Sequence, residues 1–139
     1  MTIGLFMKTK RLVFFLLISS LFAYLEWGGG NSSFLFQMEW DIIKKMMHDP
    51  ASILHPFTLL PMLGQSLLII SLFLKEPPNW ILLLGTALIG LLLFFILLIG
   101  FLSLNLLVVI SVLPFCVTSI FVIWFFVKKR KMRINRVRD

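Results

Sequence analysis

An uncharged apolar run from Trp80 to Val127 constrains the fold of this chain more than any other feature. The run is more than twice as long as the roughly 20 residues that cross a bilayer once as a helix. Two crossings joined by a tight turn fit it, and the segment "GFLSLN" at 100–105 supplies small and polar residues for that turn. Since 60% of all residues are hydrophobic and only 14% are charged, we predict an integral membrane protein.

Two further apolar segments complete a predicted all-α integral membrane fold with four transmembrane helices. The first follows Lys8, Lys10 and Arg11, as a signal peptide would, but lacks a convincing small-x-small cleavage pattern, so we expect it to be retained. The second ends before Pro77 and Pro78, which cannot continue a helix. The predicted bounds within one membrane domain, 1–139, are 12–27, 57–74, 79–101 and 104–127 for the spans, 33–48 for an amphipathic interfacial helix, and 128–139 for a basic tail.

The distribution of Lys and Arg predicts the orientation. Eleven of the thirteen lie in the N-terminal segment, the Lys75 turn and the tail, whereas the segment between the first two spans holds only Lys44 and Lys45. By the positive-inside rule, both termini are expected in the cytoplasm and the long loop outside. This placement also explains the net charge of +7 without a nucleic-acid partner. A bacterial inner membrane is the expected location.

The segment between the first two spans predicts an amphipathic helix that lies on the outer membrane surface or caps the bundle. At 100° per residue, its apolar side consists of Leu35, Met38, Ile42, Ile43 and Met46, and its polar side of Gln37, Asp41, Lys44, Lys45 and His48. Glu39 breaks this pattern because it projects into the apolar side. Its carboxyl group either turns toward water, pairs with Lys45, finds a hydrogen-bond donor, or takes up a proton because the apolar setting raises its pKa.

Several polar residues are expected near the outer boundary of the membrane and form a candidate ligand-binding set. Glu26 is placed in the last turn of the first helix, and Gly28–Gly30 are expected to end that helix. A hinge with Glu26 in water, and Gln65 as a contact between helices, are the alternative interpretations. The spacing of the two histidines does not match a helical zinc motif, and no metal is predicted. The candidate residues are Glu26, Glu39, His48, His55 and Gln65.

Small and polar residues within the last two spans predict helix packing. Thr86 and Gly90 have a small-xxx-small spacing, and Ser111 and Thr118 share one face of the fourth span around Pro114. Basic residues of the tail are expected to dock on anionic lipid or on an acidic partner. These are Lys128, Lys129, Arg130, Lys131 and Arg133.

Three functional hypotheses follow, and none requires a cofactor. The first is a non-catalytic accessory or assembly subunit, which would contact a membrane protein partner or form a homo-oligomer. The second is a binder or carrier of a lipid- or quinone-like molecule in an outward-facing pocket. The third is a membrane-embedded enzyme in which Glu26 or Glu39 works with His48 or His55 in acid-base chemistry. The first is the preferred interpretation, and catalysis is the less expected one.

Overall fold

The computed structural model of the protein describes residues 2–49 and 56–136, with side chains for residues 7–49, 56 and 58–127. The described part is all-helical apart from one β-hairpin, so the predicted fold class is confirmed at that level. The helices are α1 (Thr2–Leu21), α2 (Leu35–His48), α3 (Pro56–Phe73), α4 (Asn79–Leu102) and α5 (Leu106–Arg136), and the strands are β1 (Tyr24–Trp27) and β2 (Asn31–Phe34).

Two of the described helices are long and apolar enough to cross a membrane. They are α4 and the Leu106–Val127 part of α5, whereas the apolar part of α3, Thr58–Phe73, is shorter. α4 packs against both α3 and α5, and α1 packs mainly against α5 and α3. Large buried side chains between them, including Leu16, Leu82 and Phe115, form one continuous core. Four spans therefore remain a proposal, although the four long helices share this core.

The first helix ends earlier than predicted, and the residues after it form a hairpin. Tyr24–Trp27 was expected within the helix but pairs with Asn31–Phe34 in an antiparallel register, with Glu26 opposite Ser32. Gly29 and Gly30 adopt positive φ angles of 88° and 76°, which glycine tolerates without a steric penalty. The glycines therefore turn a hairpin between two strands and do not end the helix.

The start of α2 also differs in detail from the prediction. The helix was expected from residue 33, but Ser32 and Ser33 lie in β2 and the helix starts at Leu35. Its first turn is stabilised by Gln37, whose Oε1 accepts hydrogen bonds from the Phe34 backbone N–H and from Ser33 Oγ, each at 3.1 Å. The side chain of Gln37 thereby satisfies a backbone donor that has no partner within the helix.

The hairpin and the turn between α4 and α5 lie at the same end of the bundle, which we call the hairpin end. The Tyr24 backbone N–H donates a 2.9 Å hydrogen bond to Ser111 Oγ in the first turns of α5. The turn itself lies at 103–105, inside the segment expected to reverse the chain. α5 then continues as a helix to Arg136, so the basic tail begins as an extension of α5.

Candidate functional site

Glu39 is an ionisable residue buried among apolar side chains, on the bundle-facing side of α2. Its side chain is only 8% exposed, and Leu35, one turn earlier on the same face, is 3% exposed. The Leu35 backbone N–H donates a 2.9 Å hydrogen bond to the Ala23 carbonyl, which fixes the first turn of α2 against the end of α1. Glu39 is thus held toward the bundle by the way its helix begins.

Glu39 meets two polar side chains from neighbouring helices. The Gln65 side chain of α3 donates a hydrogen bond to the Glu39 carboxyl group. Gln65 is itself 8% exposed, and its Nε2 lies 3.5 Å from Ser20 Oγ in the last turn of α1. Ser20 is fully buried and donates to the Leu17 carbonyl at 2.8 Å. Glu39, Gln65 and Ser20, here called the polar cluster, therefore connect α2, α3 and α1.

One oxygen of the Glu39 carboxyl group is buried without a hydrogen-bond partner among the described residues. This atom is Oε1. Burial raises the pKa of Glu39 from 4.5 to about 7, while the hydrogen bond from Gln65 acts in the opposite direction. Desolvation is the larger effect because the charged carboxylate loses its water shell and one amide replaces only part of it. With a pKa of about 7, Glu39 is present in both its protonated and its ionised form near neutral pH, and its Oε1 has no partner among the described residues.

Glu26, the other predicted acid of the site, is separate from the polar cluster. It is an exposed residue of β1, and its Oε2 accepts a hydrogen bond from Asn105 Nδ2 in the turn between α4 and α5. Its placement in a last helical turn was wrong, because the chain leaves the helix at Leu21. The partner of Glu26 is thus an amide at the hairpin end, which the sequence analysis did not identify.

The histidines do not join these acids in the described part of the chain. His48 is exposed at the end of α2, and it makes no hydrogen bond or ion pair with Glu26 or Glu39. It is nine positions after Glu39 in the same helix, a distance of about 13 Å along the axis. His55 lies outside the described residues. Within the described ranges no three His, Cys, Asp or Glu residues converge as a metal site would require.

A close contact between α3 and α4 lies at two glycines, Gly64 and Gly85, which were not predicted as partners. A Cβ on Gly64 of α3 would come within 2.8 Å of the Gly85 carbonyl of α4, and a Cβ on Gly85 within 3.0 Å of the Gly64 carbonyl. Gly90, one of the predicted packing residues, has more room, because a Cβ there would lie 3.8 Å from Phe115. Spacing within one helix indicated a packing face but could not identify its partner.

The other predicted packing residues have varied surroundings. Thr86 is buried, and its hydroxyl donates to the Leu82 carbonyl of its own helix at 2.7 Å. Ser111 accepts the hydrogen bond from Tyr24 across the bundle, whereas Thr118 bonds to the Pro114 carbonyl one turn earlier. The tail side chains, Lys128, Lys129, Arg130, Lys131 and Arg133, lie outside the described side chains.

No protein-family model, curated protein or solved structure matches this chain. Its function must therefore be inferred from its own residues.

Proposed function

We propose that this protein is a non-catalytic, multi-pass membrane protein that binds a lipid- or quinone-like molecule near its hairpin end, with Glu39 and Gln65 as the polar contacts. The observation that carries the proposal is the buried Glu39 Oε1, which has no partner among the described residues. An unsatisfied buried polar oxygen costs roughly 1–3 kcal/mol, so a bound donor at this atom would offset that cost.

The chemistry of the polar cluster defines the ligand group. Glu39 can accept a hydrogen bond at Oε1, and Gln65 already donates to the same carboxyl group. A hydroxyl, amide or amine of the ligand would donate to that oxygen. The rest of the ligand would be apolar, because apolar residues flank the cluster along each helix, among them Leu16 and Leu17 of α1 and Leu35 of α2. This combination of apolar walls with few polar groups is typical of small-molecule sites.

The proposed membrane placement has α1, α3, α4 and α5 as four spans. Its support is the core that these four helices share and the apolar length of α4 and α5. With the basic residues on the cytoplasmic side, both termini would be cytoplasmic, and the hairpin end with the polar cluster would face outward. A bacterial inner membrane, with the hairpin end toward the periplasm, is the proposed location.

Ligand retention tests the proposal directly. The protein would be purified in mild detergent, and its bound molecules would be measured by native mass spectrometry and by solvent extraction. We expect a retained amphiphile in the wild type and at least a tenfold loss in Glu39→Ala and Gln65→Leu. A tenfold loss corresponds to about 1.4 kcal/mol, close to the lower limit for one hydrogen bond to a charged group. Glu26→Gln is the matched control, because it changes an exposed acid at the same end. Equal retention in all variants would exclude the site.

An accessory or assembly subunit is the second candidate function. This function is favoured by the low burial of α5. Only 22% of an apolar 18-residue stretch of α5 is buried within the protein, against 39% of the corresponding stretch of α4. A partner helix could pack on the remaining surface, where lipid would otherwise lie. Particle mass and the proteins that co-elute after mild extraction distinguish the candidates. A defined larger complex supports the subunit, and a small particle that carries only lipid supports the binder.

A further inference from the structure

A second apolar face on α2 is exposed to the surroundings of the protein. Phe36 is 39% exposed, Trp40 59%, Ile43 39% and Met47 81%. At 100° per residue these four side chains fall within a sector of about 60°, next to the side that carries Leu35 and Glu39. We call Phe36, Trp40, Ile43 and Met47 the α2 stripe. α2 therefore has a bundle-facing side, a polar side and, between them, an apolar stripe that is exposed among the described residues.

The depth of α2 follows from its contacts. Glu39 is bonded to Gln65 of α3, and the polar cluster reaches Ser20 in the last turn of α1. Trp40 is the next residue after Glu39, so it lies at nearly the same level along the bundle but points away from it. Trp40 is therefore level with the last turn of α1 and with the middle of α3, where Gln65 lies.

The stripe is continuous with the apolar surface of α1. The ring of Phe36 lies 6.0 Å from the ring of Phe22, which is exposed just after α1. Phe15 and Ile18 extend the same kind of exposed apolar surface along α1. An apolar surface that passes without a break from a bundle helix onto α2 matches the surface that a bilayer covers.

The boundary of the stripe carries the residues expected at a lipid headgroup layer. Lys44 Nζ lies 5.6 Å from the centre of the Trp40 ring and 3.6 Å from Asp41 Oδ1. Tryptophan places an apolar ring and a polar N–H across a membrane interface, and lysine extends its charge toward water. A shallow depression lined by Phe36, Trp40 and the polar residues Ser33, Gln37 and Asp41 lies along this boundary.

We propose that the α2 stripe inserts into the boundary between headgroups and acyl chains of the bilayer, so that α2 is an interfacial anchor as well as a cap on the bundle. The molecules that contact the stripe are phospholipids. This inference does not depend on ligand binding, because it uses the polar cluster only to place α2 against the bundle and otherwise rests on the outer side of α2. It predicts that α2 lies with its polar side, including Asp41 and His48, toward water.

Site-directed spin labelling tests the insertion. The native cysteine would be removed by Cys116→Ala, and single cysteines would be introduced by Trp40→Cys, Ile43→Cys and Met47→Cys. The matched set on the polar side of the same helix is Gln37→Cys, Asp41→Cys and His48→Cys. Each variant would be labelled with a nitroxide and reconstituted into vesicles of equal parts phosphatidylethanolamine and phosphatidylglycerol. Only variants that elute like the wild type on size exclusion would be used.

The measurement is the accessibility of each nitroxide to two collision reagents. Oxygen concentrates in lipid, and a nickel complex is confined to water. The ratio of oxygen to nickel accessibility is expected to be several-fold higher at the three stripe positions than at the three polar positions. Equal ratios on both sides would overturn the proposal, because the stripe would then face water. Low accessibility to both reagents at the stripe would also overturn it, because a protein surface would then cover α2.

Discussion

The side-chain amide of Asn105 donates a 2.5 Å hydrogen bond to Glu26 Oε2, although 79 positions separate the two residues in the sequence. Together with the bond from Tyr24 to Ser111, it attaches the β-hairpin to the end of the α4–α5 pair. The hairpin in turn fixes where β2 ends and α2 begins, because Leu35 follows β2 directly. The position of Glu39 therefore depends on contacts far from it in the sequence.

Removing the Asn105 amide is expected to loosen the hairpin. Asn105→Ala should lower the free energy of unfolding by about 1 kcal/mol, since the bond involves a carboxylate but lies in an exposed position. Thermal unfolding in detergent, followed by circular dichroism, measures the change. Asn105→Asp keeps the Oδ1 that accepts from the Val108 N–H but should also destabilise the protein, because it places two acids together, and adding Glu26→Gln should restore part of the loss. If that second change gives no recovery, the two side chains do not interact in solution.

The hydroxyl of Ser111 is expected to contribute more than other serines of the same helix. Ser111→Ala leaves the Tyr24 N–H without its acceptor, which should cost roughly 1–3 kcal/mol. Ser119→Ala is the control, because Ser119 Oγ donates only to the Cys116 carbonyl of its own helix, at 2.8 Å. The two variants would be compared by thermal unfolding under the same conditions. A Ser111→Ala variant as stable as Ser119→Ala would contradict the contact.

The two glycines at the α3–α4 contact should not tolerate a methyl group. Gly64→Ala would place a Cβ 2.8 Å from the Gly85 carbonyl and from Ile89 Cγ1, so the helices must separate. Overpacking of this kind typically costs 1–3 kcal/mol. Gly90→Ala, with 3.8 Å to Phe115, should be neutral or stabilise the helix by roughly 0.5–1 kcal/mol. Unfolding midpoints of the two variants measure the difference, and equal midpoints would show that the contact is not tight.

The sequence predicted the long apolar helices and the placement of Glu39 on an apolar side of its helix. Both features depend on local periodicity. The charge-free run indicated two long apolar helices, and α4 and α5 have that character. Glu39 was expected at an apolar position of an amphipathic helix, and it lies on the bundle-facing side of α2. These features follow from the 3.6-residue repeat, which a single segment reveals without knowledge of its neighbours.

The hairpin and the helix contacts could not be predicted in the same way. The segment 24–27 continues an apolar run, and only its pairing with 31–34 identifies it as a strand. The close approach of Gly64 and Gly85 depends on how two helices face each other. The α2 stripe was missed because one apolar side had already been assigned, and Phe36, Trp40 and Met47 were left outside it. This information lies in contacts between segments that are distant in the sequence, and local patterns do not contain it.

Glu39 should make the stability of the protein depend on pH. Its pKa is about 7 in the folded protein against 4.5 in an unfolded chain, so the folded state binds the proton more tightly. The stabilisation is fully present below about pH 4.5, falls as the pH rises, and is lost above about pH 7. The decrease is at most roughly 3.5 kcal/mol, at about 1.4 kcal/mol per pH unit over about 2.5 units. Denaturation in detergent between pH 4 and 8 measures it.

Two variants separate this effect from other titrating groups. Glu39→Gln removes the proton-binding group and should flatten the decrease between pH 4.5 and 7. Glu26→Gln changes an exposed acid with an amide partner, and it should keep the wild-type slope. A Glu39→Gln protein with the same pH dependence as the wild type would show that the buried carboxyl group is not the source.

The hydrogen bond from Gln65 should set the upper limit of that pH range. Gln65 favours the ionised form of Glu39, so Gln65→Leu should raise the pKa of Glu39 further and extend the pH-dependent decrease to higher pH. The pH at which stability stops falling, obtained from the same denaturation series, is the measurement. Ser66→Ala is the control, because Ser66 is exposed on the same helix and bonds only to the Met62 carbonyl. A shift of equal size in both variants would mean that a general loosening of α3, and not the amide, moves the titration of Glu39.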